Sequence, residues 1–208
     1  MRLNKKKILT ILGTRPEIIR LSIIINKIDK NFNQILVHTG QNYNYELDKV
    51  FFNNFNLRKP DYYLNAKGSF GSQLSIISKK LEKIILKEKP EKFLVLGDTN
   101  SSLGAIVAKR SGLKVFHMEA GNRCYNPKSP EEINRKIIDH SSDVLLPYTF
   151  RSSKNLFKEG IKKEKVYVTG NPIFEVIQKN KLKIKSSNII KRLKINKKKY
   201  FVVTLHRE

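Results

Sequence analysis

A single cysteine, Cys124, excludes a disulfide framework and any cysteine metal cluster within this chain. No metal site is expected, and a reducing, cytoplasmic setting fits. Long apolar runs are missing too. The N-terminal one, ILTILG at 8–13, is too short for a signal core, and Arg15 and Glu17 follow at once. A soluble protein that does not insert into membranes is expected. No GxGxxG follows the first apolar run and no GxxxxGK[ST] occurs anywhere, so neither a dinucleotide fingerprint nor a P-loop is present. Acids are scarce: 18 Asp and Glu stand against 42 Lys and Arg, a formal charge of +24. Such a surface attracts polyanions. Yet there is no C₂H₂ spacing, no RNP-like aromatic motif and no basic-region heptad. Most of the charge is lysine spread along the chain, with KKK runs at 5–7 and 197–199 just before apolar segments. This reads as a compositional bias over an ordinary fold, and no specific nucleic-acid partner is expected.

What is there is alternation. Over 208 residues, 39% of them hydrophobic, short apolar runs that end near glycine take turns with helical patterns. A strand is predicted at Lys7–Leu12. GTRPE then turns the chain into a buried helix running to about Asp29, with Thr14 as cap and Pro16 and Glu17 in its first turn. Gln34–Val37 is the next strand, 45–55 a helix, and 64–71 a glycine-spaced loop. Gln73–Glu88 is amphipathic, with Leu74, Ile77, Leu81, Ile84 and Ile85 on one stripe, and Pro90 stops it. A strand–helix–strand unit follows: FLVLG at 93–97, SSLGAIVAKRSG at 101–112, VFHMEAG at 115–121. PEEINRKIIDHSS reads as a helix, DVLLPY as a strand, SSKNLFKEG as a helix, KVYVTG as a strand and NPIFEVIQKN as a helix. A lysine-rich connector covers about 179–198, and YFVVTLH reads as a last strand. Repeated β/α alternation with apolar strands predicts an α/β fold with a doubly wound parallel sheet. There is no internal repeat. The divisions expected are 1–172 for a Rossmann-like domain and 173–208 for a connector plus the first strand of an incomplete second domain.

In such sheets ligands bind beyond the carboxyl ends of the strands. The residues there are Gly13-Thr14-Arg15, Thr39-Gly40-Gln41, Gly97-Asp98-Thr99, Glu119-Ala120-Gly121, Thr169-Gly170-Asn171 and His206-Arg207-Glu208. Glycines allow close approach, helix N-termini favour phosphate, and Arg15 and Arg20 add fixed positive charge. A phosphate-bearing nucleotide ligand is expected. Asp98, Glu119, Glu131 and Glu132 can converge on this edge, where neighbouring carboxylates raise one another's pKa and suit proton transfer. Plainer roles compete. Asp98 can cap a helix, and Glu131 and Glu132 can complement a helix dipole. Glu119, inside an apolar run, is costly to bury without a task. His117 reads as a hydrogen-bonded core histidine, His140 as a helix-end residue and Cys124 as inert. His206 lies at the open end of the last apolar run.

Seven stretches in order, GTRPE, TGQNY, LGDTNS, HMEAGNR, PEEINR, TGNP and TLHRE, resemble the non-hydrolysing UDP-N-acetylglucosamine 2-epimerase family over essentially the whole chain. IIRLS, HTGQNY, LRKPDYYLN and 117–143 look most similar to the branch acting on UDP-2-acetamido-2,6-dideoxy-L-talose, which forms UDP-N-acetyl-L-fucosamine. The resemblance implies a glycosyltransferase-B-like fold of two Rossmann-like domains, a UDP-sugar substrate, no cofactor, a homodimer and a task in surface polysaccharide precursor synthesis. It implies inversion at carbon 2 by anti elimination and re-addition of UDP. By matching motif, Asp98, Glu119 and Glu131 form the acid/base set, with His206 beside them. Arg15, Arg20 and His206 contact the diphosphate, and Gly13, Thr14, Gln41 and Gly121 complete the substrate-binding set. Arg20 occupies a position where many relatives carry lysine, a change that keeps charge and alters geometry. Family members are roughly twice this long, so a truncated chain with weak UDP binding and little turnover of its own is expected. Two rivals are a glycosyltransferase of the same fold and a non-enzymatic nucleotide- or nucleic-acid-binding fragment.

Overall fold

The computed structural model describes residues 5–40, 45–196 and 199–205. Its elements follow the apolar periodicity: β1 Lys7–Leu12, α1 Arg15–Asn31, β2 Asn33–His38, α2 Tyr45–Asn54, β3 Tyr62–Tyr63, α3 Phe70–Glu88 and β4 Lys92–Leu96. A 3-10 turn at Asn100–Leu103 runs into α4, Gly104–Arg110. Then come β5 Lys114–Met118, α5 Pro130–Ser141, β6 Val144–Leu146, α6 Phe150–Lys158, α7 Ile173–Lys179, α8 Lys181–Lys185 and α9 Ile189–Arg192. The strands form one sheet in the order β3-β2-β1-β4-β5-β6, with every pairing parallel. The chain moves outward from β1 in one direction, then returns and moves outward from β4 in the other. The switch point therefore lies between β1 and β4.

Strand side chains alternate between two helical layers, as period-2 geometry requires. Leu12, Leu36, Leu94 and Leu96 meet Ile18, Leu21 and Ile25 of α1 and Phe52 of α2. Leu9, Ile11, Val37, Phe93 and Val95 meet Ile77, Leu81, Ile84 and Ile85 of α3, with Ala105 and Ala108 of α4 and Ile138 of α5. Each such fully buried aliphatic side chain contributes about 1.5–3 kcal/mol. The sheet is doubly wound. The amphipathic stripe lies where its spacing places it, and α3 starts three residues earlier than predicted because the Ser69 hydroxyl accepts the Ser72 N–H. Among the described residues no helix is long and apolar enough to cross a membrane.

Two predicted strands are corrected. KVYVTG forms only a single bridge, Val166 to Leu145. The Tyr167 and Thr169 N–H groups donate to Leu145 and Pro147 carbonyls at 2.9 and 3.0 Å. The return bond of a parallel ladder would need an N–H at residue 147, and proline has none. Tyr200–Leu205 is not a strand either. Among the described residues no strand runs alongside it, Phe201 is 97% exposed, and an unpaired extended segment has no ladder to fix it. His206 and Gln41 lie outside the described residues. The two-residue β3, paired to Val37 and His38, was not anticipated within the loop that leads from α2 to α3. Past residue 172, α7 buries Val176 and packs against α1, where Lys27 pairs with Glu175 at 3.4 Å.

Gly121 follows β5 with φ +76°, and a Cβ there would stand 2.2 Å from the Ser152 carbonyl oxygen. Gly121→Ala adds backbone strain to overpacking and is expected to destabilise the fold by about 2–4 kcal/mol. A urea midpoint close to wild type at unchanged m-value would refute this.

His38 is buried at the end of β2. Its Nδ1 accepts the Gly40 N–H at 3.0 Å, while Nε2 lies 3.7 Å from Asp48 Oδ2, beyond hydrogen-bond range. Burial lowers its pKa from 6.5 to about 4, so the unfolded chain binds more protons between those values. Stability should fall as pH drops through that window, by roughly 3 kcal/mol at most at 1.4 kcal/mol per unit. Asp48, whose pKa burial raises, opposes the loss by taking a proton in the fold. Urea titrations at pH 7 and pH 5 should show a larger drop for wild type than for His38→Asn; parallel drops would exclude this origin.

Candidate active site

The carboxyl edge is built outward from the switch point. In the β1–α1 turn, GTRPE puts Glu17 at the third helical position, and its carboxylate folds back over the turn. Oε2 accepts the Gly13 and Thr14 N–H groups at 2.9 and 2.7 Å, and Oε1 accepts the Thr99 hydroxyl at 2.9 Å. The bond to the cap N–H is half of a capping box. Burial pushes Glu17 up despite these bonds. The two amides expected to cradle phosphate are thus already taken by an anion of the chain itself. Gly13 must be glycine for another reason: a Cβ would stand 2.0 Å from Thr39 Oγ1 and 2.2 Å from Ser101 Oγ. Arg15 is exposed at the start of α1 and makes no hydrogen bond among the described residues; its charge acts on Asp48.

Arg20, just over one turn further along α1, reaches across the switch point to the Glu119 carboxylate. Glu119 comes directly after β5 with φ +72°, a left-handed backbone that a glutamate adopts only at a cost of order 1–3 kcal/mol. It stands just past the strand, where the Glu119-Ala120-Gly121 stretch was expected. The left-handed turn lays its side chain over β4, where Oε2 would stand 3.3 Å from a Cβ on Gly97. Asn122 Nδ2 donates to its other oxygen at 3.3 Å. Burial raises the Glu119 pKa, Arg20 opposes that, and the neighbouring Asp98 charge raises it again; the net direction is up.

Asp98 stands two residues past β4 and pairs with Arg135 of α5, whose Nε donates at 2.8 Å, while Asn134 Nδ2 donates to the Asp98 carbonyl at 2.8 Å. Arg135 also meets Glu132 at 3.1 Å. Asp98, Glu119, Arg20 and Arg135 therefore form one charged cluster in which two carboxylates share two guanidiniums. Tyr148, just past β6, faces Arg20 and Glu119. Burial and the Glu119 charge push its pKa up, and its buried hydroxyl closes no hydrogen bond of good geometry.

The other expected residues separate by role. Glu131 is exposed in the first turn of α5, accepts the Ser129 hydroxyl at 2.8 Å and lines a cleft with Asp98. Glu132 is buried. Burial raises its pKa, but the Cys124 N–H and Arg135 bring it net below the ordinary value, which makes it a structural anion. Gly121 faces the interior: its N–H donates to Asp139 at 3.1 Å, so it gives a ligand no amide. His117 is a core residue, its ring nitrogens 2.8 Å from Asp139 and 2.9 Å from the Gly97 carbonyl. Arg135 and Tyr148 were not singled out by sequence reasoning. Arg135 sits inside the quoted PEEINR stretch, one turn after Glu131 and Glu132 on the same helix; that spacing was its available signal. Nothing in DVLLPY marks Tyr148.

With this geometry in place, the comparisons with known proteins are decisive. The sequence profile described as UDP-N-acetylglucosamine 2-epimerase matches residues 26–208. The chain belongs to this family. It is 46% identical over 207 residues to a UDP-N-acetylglucosamine 2-epimerase of Methanococcus maripaludis, covering 97% of this chain and 56% of that protein. The solved epimerase from Rickettsia bellii superposes with a TM-score of 0.91 at 46% identity, over 98% of this chain and 55% of that one. The Methanocaldococcus jannaschii epimerase, solved with UDP-GlcNAc and UDP, gives a TM-score of 0.85 at 41% identity, over 90% and 52%. The chain spans a little over half the length of these relatives.

The Arg20–Glu119 pair carries a test. Arg20→Gln leaves a half-buried carboxylate without its cation and should cost about 1–2 kcal/mol at pH 7, a figure discounted for partial exposure. Glu119's pKa then rises further, and a group with a raised folded pKa stabilises below that value and loses its contribution above it. The deficit should therefore shrink towards pH 5. A deficit that is constant with pH would show that the loss is not electrostatic.

Proposed function

We propose that this chain carries the acid/base machinery that inverts carbon 2 of a UDP-2-acetamido sugar. The supporting observation is the Glu119–Asp98 pair: two electrostatically coupled carboxylates at adjacent strand ends, one on strained backbone, both engaged by guanidiniums. In the proposed reaction a carboxylate removes the carbon 2 proton and UDP leaves carbon 1 from the opposite face. A 1,2-unsaturated sugar remains. UDP then re-adds at carbon 1 while a second acid protonates carbon 2 from the other face. Asp98, Glu119 and Glu131 supply the proton transfers, with His206 beside them. Arg15 and Arg20 stabilise the departing diphosphate, and Gly13, Thr14, Gln41 and Gly121 shape the surrounding pocket.

The Arg20 contact couples binding to basicity. An arriving diphosphate competes with Glu119 for the same guanidinium. To the extent that Arg20 turns to phosphate, the carboxylate loses the charge that holds its pKa down and becomes a stronger base near neutral pH. The substrate pair is UDP-N-acetylglucosamine and -mannosamine, or the L-talose and L-fucosamine derivatives that the sequence branch favours. The product feeds surface polysaccharide synthesis from the cytoplasm, and the active form is a homodimer. Residues 173–208 begin the second domain of this fold.

Incubation in deuterium oxide with each UDP-sugar, followed by NMR at carbon 2, tests the reading. Exchange into one sugar with no acceptor present is expected. Asp98→Asn and Glu119→Gln should each slow it by about 10²–10⁴-fold. Transfer of the sugar to an acceptor without exchange would point to a glycosyltransferase instead.

A further inference from the structure

The edge of the sheet opposite the acids, where the strands begin, is lined with lysine. β1, β4 and β5, neighbours at the centre of the sheet, each open on one: Lys7, Lys92 and Lys114. Lys92 and Lys114 are register partners, their strands about 5 Å apart. Their ammoniums lie 5.7 and 5.9 Å from the centre of one ring, that of Phe116. The crossover helices end at the same edge and bring Lys30, Lys87 and Arg110 in their last turns. Helix dipoles account for this second group. Nothing in the fold accounts for the first, since like charges side by side repel, and neither Lys92 nor Lys114 forms an ion pair among the described residues. The acids of this edge cancel little of the charge. Glu88 is taken by Lys7 at 3.6 Å, Asp61 by Arg58 at 2.9 Å and Asp143 by Lys109. Glu91 and Glu164 remain, both exposed, against Lys6, Lys89, Lys92, Arg110, Lys114 and Lys165. At the carboxyl edge the reverse holds: Arg20, Arg123 and Arg135 are each held by a carboxylate. Two apolar side chains flank the lysine row. Phe32, between α1 and β2, is 36% exposed, and Leu86, in the last turn of α3, is 70% exposed. α1 and α3 cover opposite faces of the sheet, so one lies on each side.

We propose that this amino edge docks on an anionic membrane surface, with its lysines among the phospholipid headgroups and Phe32 and Leu86 entering the headgroup layer. The inference stands apart from the proposed reaction. Parallel strands begin, and their crossover helices end, at one level, so the cations form a shallow face with no groove. A bilayer meets all of such a face at once; a nucleic-acid duplex meets only a strip of it. Ammoniums on flexible stems suit a fluid layer of headgroups, whereas fixed, bidentate phosphate recognition favours arginine, which lysine outnumbers here. An exposed leucine gives a base nothing to stack on, but it does suit the boundary between headgroups and acyl chains. Docked in this way, the chain turns its acid-bearing edge away from the bilayer and leaves it open to soluble ligands.

Co-sedimentation of this chain with vesicles of phosphatidylcholine, alone or mixed with phosphatidylserine, tests the docking at low salt. Binding to the anionic vesicles and not to the neutral ones is expected. Replacing Lys89, Lys92, Arg110 and Lys114 together by glutamine should weaken it by at least about tenfold. The same replacement at Lys79, Lys136, Lys154 and Lys179, all exposed on helices away from this edge, should weaken it by about threefold or less, because the attraction fades within a Debye length. Urea midpoints near wild type check that both variants are folded. The chain has no tryptophan, so a single introduced one reports orientation. Leu86→Trp should shift its emission to the blue on anionic vesicles. Phe150→Trp, at the exposed start of α6 on the carboxyl edge, should not. Absence of binding to anionic vesicles, equal losses in the two quadruple variants, or a blue shift that does not single out Leu86→Trp would overturn the proposal. Duplex DNA binding that the edge variant abolishes while vesicle binding persists would assign the lysine row to nucleic acid and overturn it as well.

Discussion

Parallel strands joined by helical crossovers deliver every strand's carboxyl end to one edge, and the chemistry of this chain depends on that constraint. Arg20 and Glu119 are 99 residues apart in sequence. They meet because β1 and β4 are neighbours, β5 lies one strand beyond, and all three point the same way. Had one crossover returned an antiparallel strand, its acid would sit at the far end of the sheet. The two core layers hold this arrangement from above and below: Leu94 and Leu96 are fixed by α1, Phe93 and Val95 by α3 and α4. The position of Asp98 therefore follows from apolar packing two to five residues before it.

The charge of the molecule and the charge of the site obey different rules. Lysine dominates the +24 total, whereas the buried cations at the carboxyl edge are arginines. Arg123 is wholly buried between Asp139 and Glu159, with its NH2 group 2.8 and 2.6 Å from their oxygens. Arg135 bridges Asp98 and Glu132. A planar guanidinium can satisfy two carboxylates at once, which a lysine ammonium does less well in fixed geometry. The two arginines differ in what they hold. Arg123 locks Asp139, the anchor for His117 and Gly121, and so stiffens the base of the site. Arg135 holds an acid that lines the open cleft. The surface lysines are a solvated background to both.

Much of the fold was legible because burial on both faces leaves short apolar runs that glycine terminates, as at Leu12–Gly13 and Leu96–Gly97. The amphipathic α3 was readable from Leu74 to Ile85 for the complementary reason, period 3.6. The two misread strands, at 165–170 and 200–205, have apolar strand-like composition. Composition cannot show whether a neighbour is present to donate the return bonds, and Pro147 decides that in one case. In the site, the acids were legible from their places beside glycine. The organisation among them was not. Whether Gly13 and Thr14 amides are open depends on Glu17 folding back, a rotamer choice rather than a pattern. The split of Glu131 from Glu132, one exposed and one buried, depends on α5's rotation about its axis. Arg135 and Tyr148 became visible only once the ends of β4, β5 and β6 were brought together.

Glu119 brings these threads together. A left-handed glutamate is strained, a half-buried carboxylate is costly, and Asp98 nearby raises that cost. All three are tolerated because Arg20 is supplied from another element and because Gly97 leaves room for the carboxylate beneath. If the ion pair existed only for stability, a small apolar residue on relaxed backbone would serve at least as well, since buried ion pairs seldom outperform well-packed hydrophobic groups. In the proposed reaction the arginine must be surrendered, and the arrangement then makes physical sense. A guanidinium aimed at a carboxylate beside an open edge can be drawn away by a stronger anion, and a phosphate is one. In the reaction proposed above, the desolvated Glu119 carboxylate, left without its cation, would gain basicity as the diphosphate binds.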